Sequence, residues 1–209
     1  MPDAVLRLKK GTDRRLRGGH LWVYSNEVDT AATPLKALEP GSGVVVQDAR
    51  GKPLGAATVN PASLICARLY SRQATRELDT GLLVDRLKSA LSLREQLYSD
   101  HCYRLAYGEA DLLPGLIVDR YGDYLALQTT TAGMDCRMPM VLEALREVLK
   151  PKGIISKNSG VFRAAEHLPE EQSVRFGEVP EQVELVENGC RFVAPLVDGQ
   201  KTGWFYDHR

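Results

Sequence analysis

Short alternations of apolar and polar residues, separated by turn residues, fill the first third of the chain. The segment "AVLRLKK" at 4–10 alternates apolar and basic positions, "GVVVQDARGKPLGAATV" at 43–59 has two apolar runs around a Gly and Pro turn, and "SLICARLYS" at 63–71 continues the pattern. A period of two is typical of β-strands. We therefore predict a small β-barrel over residues 1–74.

A helical period replaces this alternation in the next segment, 75–181. Apolar residues recur every three to four positions between Asp79 and Ser99, with Asp79 or Thr80 available as the N-cap. Three short strands are predicted next, separated at Gly108, at Pro114-Gly115 and at Gly122-Asp123. A second helix at 135–149 and a buried strand "GIISKNS" at 153–159 complete a mixed α/β middle domain. In the last segment, 182–209, "QVELVENGCRFVAPL" predicts a hairpin that turns at Asn188-Gly189.

Charge is balanced in total, with 27 basic and 27 acidic residues, but it is distributed unevenly. The first twenty residues are rich in Lys and Arg, whereas residues 166–187 are rich in Glu. The pattern "GTDRRLRGGHLWVYSNEV" predicts a short basic helix that ends at Gly18, followed by an aromatic strand. Such a segment offers charge for phosphates and flat rings for unstacked bases, which makes RNA-binding candidates of Arg14, Arg15, Arg17, His20, Trp22, Tyr24 and Asn26. A solvated helix face over a structural Trp explains the same residues, and composition alone favours that simpler interpretation.

Several other classes of site are not indicated. The four cysteines, Cys66, Cys102, Cys136 and Cys190, are widely spaced, which predicts neither a disulfide framework nor a zinc ribbon, and the histidines lack metal-binding spacing. "GQKTG" at 199–203 lacks the glycine before lysine that a phosphate-binding loop requires. No apolar run has the length of a signal peptide or a membrane span, so we expect a cytoplasmic protein.

Four carboxylates lie close together in "GEADLLPGLIVDRYGD", namely Glu109, Asp111, Asp119 and Asp123. Paired carboxylates can serve acid–base catalysis. Most of these four lie at predicted turns, and no nucleophile or histidine is near them in sequence. We interpret them as scaffolding of the strands and turns, and we assign no catalytic residue.

Four segments in order resemble a known family. They are "LKKG" at 8–11, "GGHLWVYSNEV" at 18–28, "GEADLLPGLIVDRYGDYLALQ" at 108–128 and "DGQKTGWFYDHR" at 198–209. Together they resemble the bacterial 23S ribosomal RNA (cytosine-C5) methyltransferases that carry an N-terminal PUA domain. The chain departs from the family pattern at Leu21, at Leu112 and over 206–209, where the family commonly has Pro, Gly and Leu-Asp-Gln-Arg.

The resemblance implies a three-part enzyme that uses S-adenosylmethionine (SAM) and acts on ribosomal RNA. Its parts are a PUA RNA-binding barrel, a middle α/β domain and a Rossmann-like catalytic domain. On this basis we expect the fold class to be α+β: a PUA-like β-barrel at 1–74 and a mixed α/β middle domain at 75–181, with the catalytic domain missing. Residues 182–209 would then be a hairpin and the start of the methyltransferase domain.

The resemblance also implies what this chain does in the reaction. The family adds a cysteine thiolate to C6 of cytosine so that C5 can accept the methyl group. All four cysteines precede the expected cofactor domain, so none is assigned as the nucleophile, and the chain by itself is expected to be inactive and to bind SAM weakly. By position in the last motif, the candidates for the cofactor side are Lys201, Thr202, Phe205, Asp207 and Arg209. The alternative is a stand-alone PUA-type RNA-binding adaptor without catalysis. The oligomeric state is left open.

Overall fold

The structure is a computed structural model that describes residues 4–187, 189–199 and 202–206. In this part of the chain the strands form two five-stranded sheets and one two-stranded sheet. Each sheet contributes to its own hydrophobic core.

The first sheet is the predicted barrel. Its strands follow the order β1-β3-β4-β5-β2, with β1 and β3 parallel and the other pairs antiparallel. A bridge between Leu8 and Val28 joins the two edges of the sheet, so the alternating apolar side chains of its strands enclose one core. The strands are β1 (Ala4–Arg7), β2 (Trp22–Val23), β3 (Gly43–Gln47), β4 (Pro53–Val59) and β5 (Ala67–Ser71), and the basic helix α1 (Arg14–Arg17) lies between β1 and β2.

The second sheet has the order β10-β9-β8-β7-β6. Its strands β8 and β9 are parallel, because two helices cross between them, and its other pairs are antiparallel. The strands are β6 (Cys102–Tyr107), β7 (Leu116–Tyr121), β8 (Tyr124–Thr129), β9 (Gly153–Asn158) and β10 (Glu171–Gly177).

Helices cover one face of the second sheet. Helix α2 begins after Asp79, whose carboxylate accepts a hydrogen bond from the Leu82 backbone N–H at 2.8 Å, so Asp79 is the N-cap. Helix α2 packs on α4, and both bury leucines and valines against the sheet. The helices of this part are α2 (Thr80–Leu97), α3 (Ala132–Asp135), α4 (Met138–Leu149) and α5 (Val161–Ala165).

The opposite face of the second sheet is covered by the end of the described chain. Strands β11 (Gln182–Glu187) and β12 (Cys190–Pro195) form the predicted antiparallel hairpin, whose turn residue Asn188 lies outside the described residues. Leu185 and Ala194 from the hairpin pack with Tyr121 and Ile155 of the sheet. The sequence analysis did not predict this third core. Because side chains of the segment after 182 are buried in it, that segment is integral to the fold.

Two further predictions differ from the structure. The helix expected over 135–149 begins three residues later, as α4 at Met138, and a separate short helix α3 precedes it. Pro139 stands in the first turn of α4, where its missing N–H costs nothing. Strand β10 was not predicted, because this edge strand is largely exposed and lacks a regular apolar alternation. No helix among the described residues is long and apolar enough to cross a membrane.

Candidate nucleic-acid interface

Helix α1 displays the arginine cluster that the sequence singles out, but its three arginines differ in their surroundings. Leu16 is buried and fixes the helix on the barrel, which leaves Arg14, Arg15 and Arg17 at the surface. Arg15 donates hydrogen bonds to Glu27 at 2.9 and 3.1 Å, and its guanidinium lies 4.7 Å from the centroid of the Tyr24 ring.

Arg17 is also neutralised, since it donates to Asp13 at 2.6 Å and to Asp48 at 2.7 Å. The hydrogen bond from Arg17 to Asp13 raises the pKa of the guanidinium further. Arg14 is exposed and forms no ion pair with another described residue. Of the three arginines, Arg14 is therefore the one whose charge is available to a phosphate.

The residues after α1 are held through their backbone carbonyls, which accept hydrogen bonds from side chains elsewhere in the barrel, while their own side chains stay at the surface. Arg72 donates to the carbonyl of Leu16 at 2.7 Å and to that of His20 at 2.9 Å, which fixes the end of the helix while the His20 residue stays exposed. Asn26 is exposed in the short 3-10 turn Ser25–Glu27. The Asn26 carbonyl accepts from the Lys9 ammonium at 2.9 Å.

Trp22 connects the barrel to the middle domain. Its indole Nε1 donates to Glu109 at 2.6 Å, and Arg68 donates to the same carboxylate at 2.9 Å while its guanidinium lies 5.3 Å from the Trp22 ring centroid. Arg68 is also 3.7 Å from Glu166. Trp22 is still 36% exposed, so part of its ring remains accessible.

The four carboxylates interpreted as scaffolding have structural partners. Besides Glu109, Asp111 accepts from Arg94 at 2.5 and 2.8 Å, and exposed Asp123 pairs with Lys152 at 2.7 Å, which lowers the pKa of Asp123. Asp119 is fully buried and accepts from Arg104 at 2.8 and 3.0 Å and from the Thr202 hydroxyl. Each of the four carboxylates thus has the structural partner expected of scaffolding, and the assignment of no catalytic residue stays a prediction.

The cofactor-side candidates are described only in part. Lys201, Asp207 and Arg209 lie outside the described residues. Thr202 is buried, its hydroxyl donates to Asp119, and its carbonyl accepts from the Tyr121 hydroxyl at 3.1 Å. Phe205 is 42% exposed. The two described candidates thus do not enclose a cofactor pocket, because Thr202 is bound to Asp119 and Tyr121 of the second sheet and Phe205 is partly exposed.

The aromatic residues of the last segment pack unequally. Tyr206 is buried, its ring centroid is 5.4 Å from that of Tyr121, and its hydroxyl donates to the Arg120 carbonyl at 3.1 Å. Trp204 donates to Glu187 at 2.9 Å and packs on Phe192 of the hairpin. The sequence predicts that Trp204, Phe205 and Tyr206 dock on the middle domain of their own chain or of a neighbour. This is confirmed for Tyr206, whereas Trp204 packs on Phe192 of the hairpin and Phe205 is 42% exposed.

Another pair that joins the barrel to the middle domain was not predicted from the sequence. Buried Asn60 donates to the Glu166 carbonyl at 3.0 Å and to its carboxylate at 2.8 Å. These residues are 106 positions apart, and neither belongs to a motif. Arg137 was missed in the same way, although it donates to the carbonyls of Leu78 and Gly41. Arg137 lies between α3 and α4, directly before the first residue of α4, and no sequence pattern marks it.

Cys66 is not a candidate nucleophile. It is fully buried in the barrel core, and burial raises the pKa of its thiol to about 12. A thiol with such a pKa remains protonated at neutral pH and is therefore inert. Cys136 and Cys190 are exposed, and Cys102 is half-buried.

Comparisons with known proteins agree with this architecture. Residues 6–72 match the family described as a PUA-like domain. The chain is 32% identical to ribosomal RNA large subunit methyltransferase I of Tolumonas auensis over 99% of its length and 53% of that protein. It is 35% identical to the protein of the same name from Erwinia tasmaniensis over 98% of its length and 52% of that protein. The chain therefore spans about half the length of the curated relatives that it matches.

Solved structures share the fold. A candidate SAM-dependent methyltransferase from Streptococcus mutans superimposes on 99% of the chain with a TM-score of 0.80 at 21% identity, and 52% of that protein is covered. A second structure, described as a candidate methyltransferase in complex with SAH, gives the same TM-score at 20% identity over 98% of the chain and 51% of that protein.

These superpositions correct the predicted fold class. The prediction was an α+β chain consisting of a PUA-like barrel and a middle domain, with the catalytic domain missing. That description is wrong as a fold class, because nearly the whole chain, including the segment after 182, follows the fold of methyltransferase structures. The chain is thus similar, from its barrel to its last described residues, to about half of the large-subunit ribosomal RNA methyltransferase I proteins.

Proposed function

We propose that this chain contributes RNA binding to the SAM-dependent methylation of C5 of a cytosine in large-subunit ribosomal RNA, in the cytoplasm. The observation that carries the proposal is the surface of the barrel around α1, where Arg14, exposed and without an ion pair to any described residue, lies close in sequence to exposed His20 and half-exposed Trp22. A cation beside accessible rings suits an RNA backbone with unstacked bases. The similarity to named ribosomal RNA methyltransferases supports this choice of nucleic acid.

The candidate residues take different roles in this proposal. Arg14 contacts phosphate, and the rings of His20, Trp22 and Tyr24 offer surfaces for bases, with the amide of Asn26 available for hydrogen bonds. Arg15 and Arg17 already bind carboxylates, so in this proposal they hold the surface in shape and do not contact phosphate. The domain bounds 1–74, 75–181 and 182–209 remain our proposal for its organisation.

The methyl donor of the proposed reaction is SAM, which supplies the methyl group when bound. The described residues at the cofactor-side motif do not form a pocket for it, so we route no step through Thr202 or Phe205. C5 of cytosine becomes nucleophilic only after a thiolate adds to C6. Buried Cys66 cannot do this, and we assign that role to none of the chain's cysteines.

Mapping of 5-methylcytosine separates this proposal from the alternative of an RNA-binding adaptor without catalysis. Bisulfite sequencing of large-subunit ribosomal RNA would compare cells that carry the gene for this chain with cells that lack it. We expect one 5-methylcytosine to disappear and to return on complementation. An unchanged methylation pattern, together with RNA binding by the purified chain, would support the adaptor.

A further inference from the structure

A groove of about 320 Å³ lies outside the barrel and is not used by the proposed RNA contacts of the barrel. It lies between the last turns of α2 and strand β6. Its walls are rich in rings and aliphatic side chains, with Leu93, Leu97, Tyr98, Tyr103, Tyr107 and Tyr206 among them. Its volume is within the range of small-molecule sites.

Tyr107 forms the exposed edge of this groove. The residue is 54% exposed at the end of β6, although tyrosine rings of this size are usually packed. The Arg104 guanidinium lies 5.2 Å from the ring centroid, and Arg104 is itself fixed by two hydrogen bonds to buried Asp119. The ring is therefore supported on one side by a rigid cation and accessible elsewhere.

The charges of the groove are balanced. Arg94 is held by both carboxylate oxygens of Asp111, and Arg104 is held by both oxygens of Asp119. Unlike the proposed phosphate contact of Arg14, the groove therefore has no net charge that would attract phosphate. It offers a flat aromatic surface, which is what an unstacked base requires.

The position of the groove relates it to the proposed RNA surface. Tyr107 directly precedes the 3-10 turn Gly108–Asp111, and Glu109 of that turn binds the Trp22 indole at 2.6 Å. Tyr107 and Trp22 are thus connected through one short turn. Tyr107 is two residues before Glu109, whose carboxylate binds the Trp22 indole.

We propose that Tyr107, supported by Arg104, is a stacking platform for an unpaired RNA base, which extends the RNA site from the barrel onto the middle domain. This inference rests on the proposed function. The test uses a short single-stranded RNA labelled with 2-aminopurine, whose fluorescence is quenched when it stacks. Parent, Tyr107→Leu and Tyr107→Phe are compared over a series of salt concentrations.

We expect Tyr107→Leu to weaken RNA binding between about 5-fold and about 150-fold and to abolish the protein-dependent quenching. Tyr107→Phe keeps the ring and should retain both. The dependence of affinity on salt should be the same in all three proteins, because no phosphate contact is removed. Phe162→Leu is a matched control, since it removes a 71% exposed ring from α5 on another surface, and it should behave like the parent.

Unchanged affinity and quenching in Tyr107→Leu would overturn the inference. If Arg14→Ala weakens binding in the same assay while Tyr107→Leu does not, the proposed function stands and the stacking site fails alone. If the parent binds no RNA, both fail. A change in sedimentation coefficient on Tyr107→Leu, with RNA binding unaltered, would show that the groove joins protein chains and would also overturn the inference.

Discussion

At the scale of single residues, Asp119 joins two parts of the structure through one buried carboxylate. It is fully buried on the face of the second sheet that the last segment covers, and it binds both Arg104 and the Thr202 hydroxyl. The same carboxylate therefore fixes the cation beneath Tyr107 and the start of the segment 202–206. Loss of the carboxylate would leave Arg104 without its ion-pair partner.

We predict that Asp119→Ala lowers the free energy of unfolding by about 3 kcal/mol, because removal of one partner strands the other charge. Urea titration measures this as a lower midpoint with an unchanged slope. Asp123→Ala is the matched control, since Asp123 pairs with Lys152 at the surface, and it should alter stability little. Equal midpoints for the two variants would show that Asp119 is not a structural anchor.

Cys66 gives a prediction about pH. Its pKa is raised from an ordinary value of 9.0 to about 12 by burial. The folded state therefore keeps the thiol proton that the unfolded state loses, so the stabilising contribution is complete below pH 9 and is lost as the pH rises towards 12. Between these values the free energy of unfolding should fall by up to about 1.4 kcal/mol per pH unit more in the parent than in Cys66→Ala.

Labelling with a thiol reagent at neutral pH gives independent evidence. The exposed Cys136 and Cys190 should react in the native protein, whereas Cys66 should react only after unfolding. Rapid modification of native Cys66 would contradict its assignment to the core.

Residue roles were only partly predictable from sequence. The position of Arg14, Arg15 and Arg17 on a short helix follows from the glycines after them, but their pairing does not. Glu27 and Asp48 become partners through the fold of the barrel, and Asp48 is 31 positions from Arg17, whereas only Asp13 has the local i, i+4 spacing to Arg17. Charge in a sequence therefore located the surface, while only the structure distinguishes Arg14 from its neutralised neighbours.

At the scale of elements, the contact of α3 with β4 fixes the barrel on the middle domain. A Cβ atom on Gly133 would lie 2.2 Å from the Thr58 hydroxyl oxygen and 2.4 Å from the Thr58 Cβ. Gly133 has an ordinary helical backbone, so its lack of a side chain serves close approach. The two elements are in contact because this position is glycine.

We predict that Gly133→Ala destabilises the protein by about 1–3 kcal/mol through overpacking, as measured by thermal or urea unfolding. Gly81→Ala, in the first turn of α2, is the control. Its added Cβ would meet its nearest neighbour, the Asp79 carboxylate, at an ordinary 3.5 Å, so stability should be unchanged or higher. A harmless Gly133→Ala would mean that α3 and β4 are not tightly packed.

Elements were more predictable than contacts. Helix α2 follows from its apolar period and from Asp79, and strands β6, β7 and β8 follow from the turns at Gly108, Pro114-Gly115 and Gly122-Asp123. Strand β10 was missed because pairing with β9, rather than its own composition, makes it a strand.

At the scale of the whole molecule, polar contacts between distant segments connect the barrel to the middle domain. Trp22 binds Glu109, and Asn60 binds Glu166. Because the proposed RNA surface includes Trp22 and borders Tyr107, its shape depends on these contacts. Motif resemblance could indicate RNA binding, but periodicity could not show that Trp22 contacts Glu109 or that Asn60 contacts Glu166.

The salt dependence of RNA binding by the chain and by Arg14→Ala tests the central claim most directly. Phosphate contacts release counterions, so the logarithm of the association constant for large-subunit ribosomal RNA should fall linearly with the logarithm of salt concentration. Arg14→Ala should reduce the magnitude of that slope by about 1, since one phosphate contact is removed. RNA affinity that does not vary with salt, or a slope that Arg14→Ala leaves unchanged, would contradict an RNA interface centred on α1.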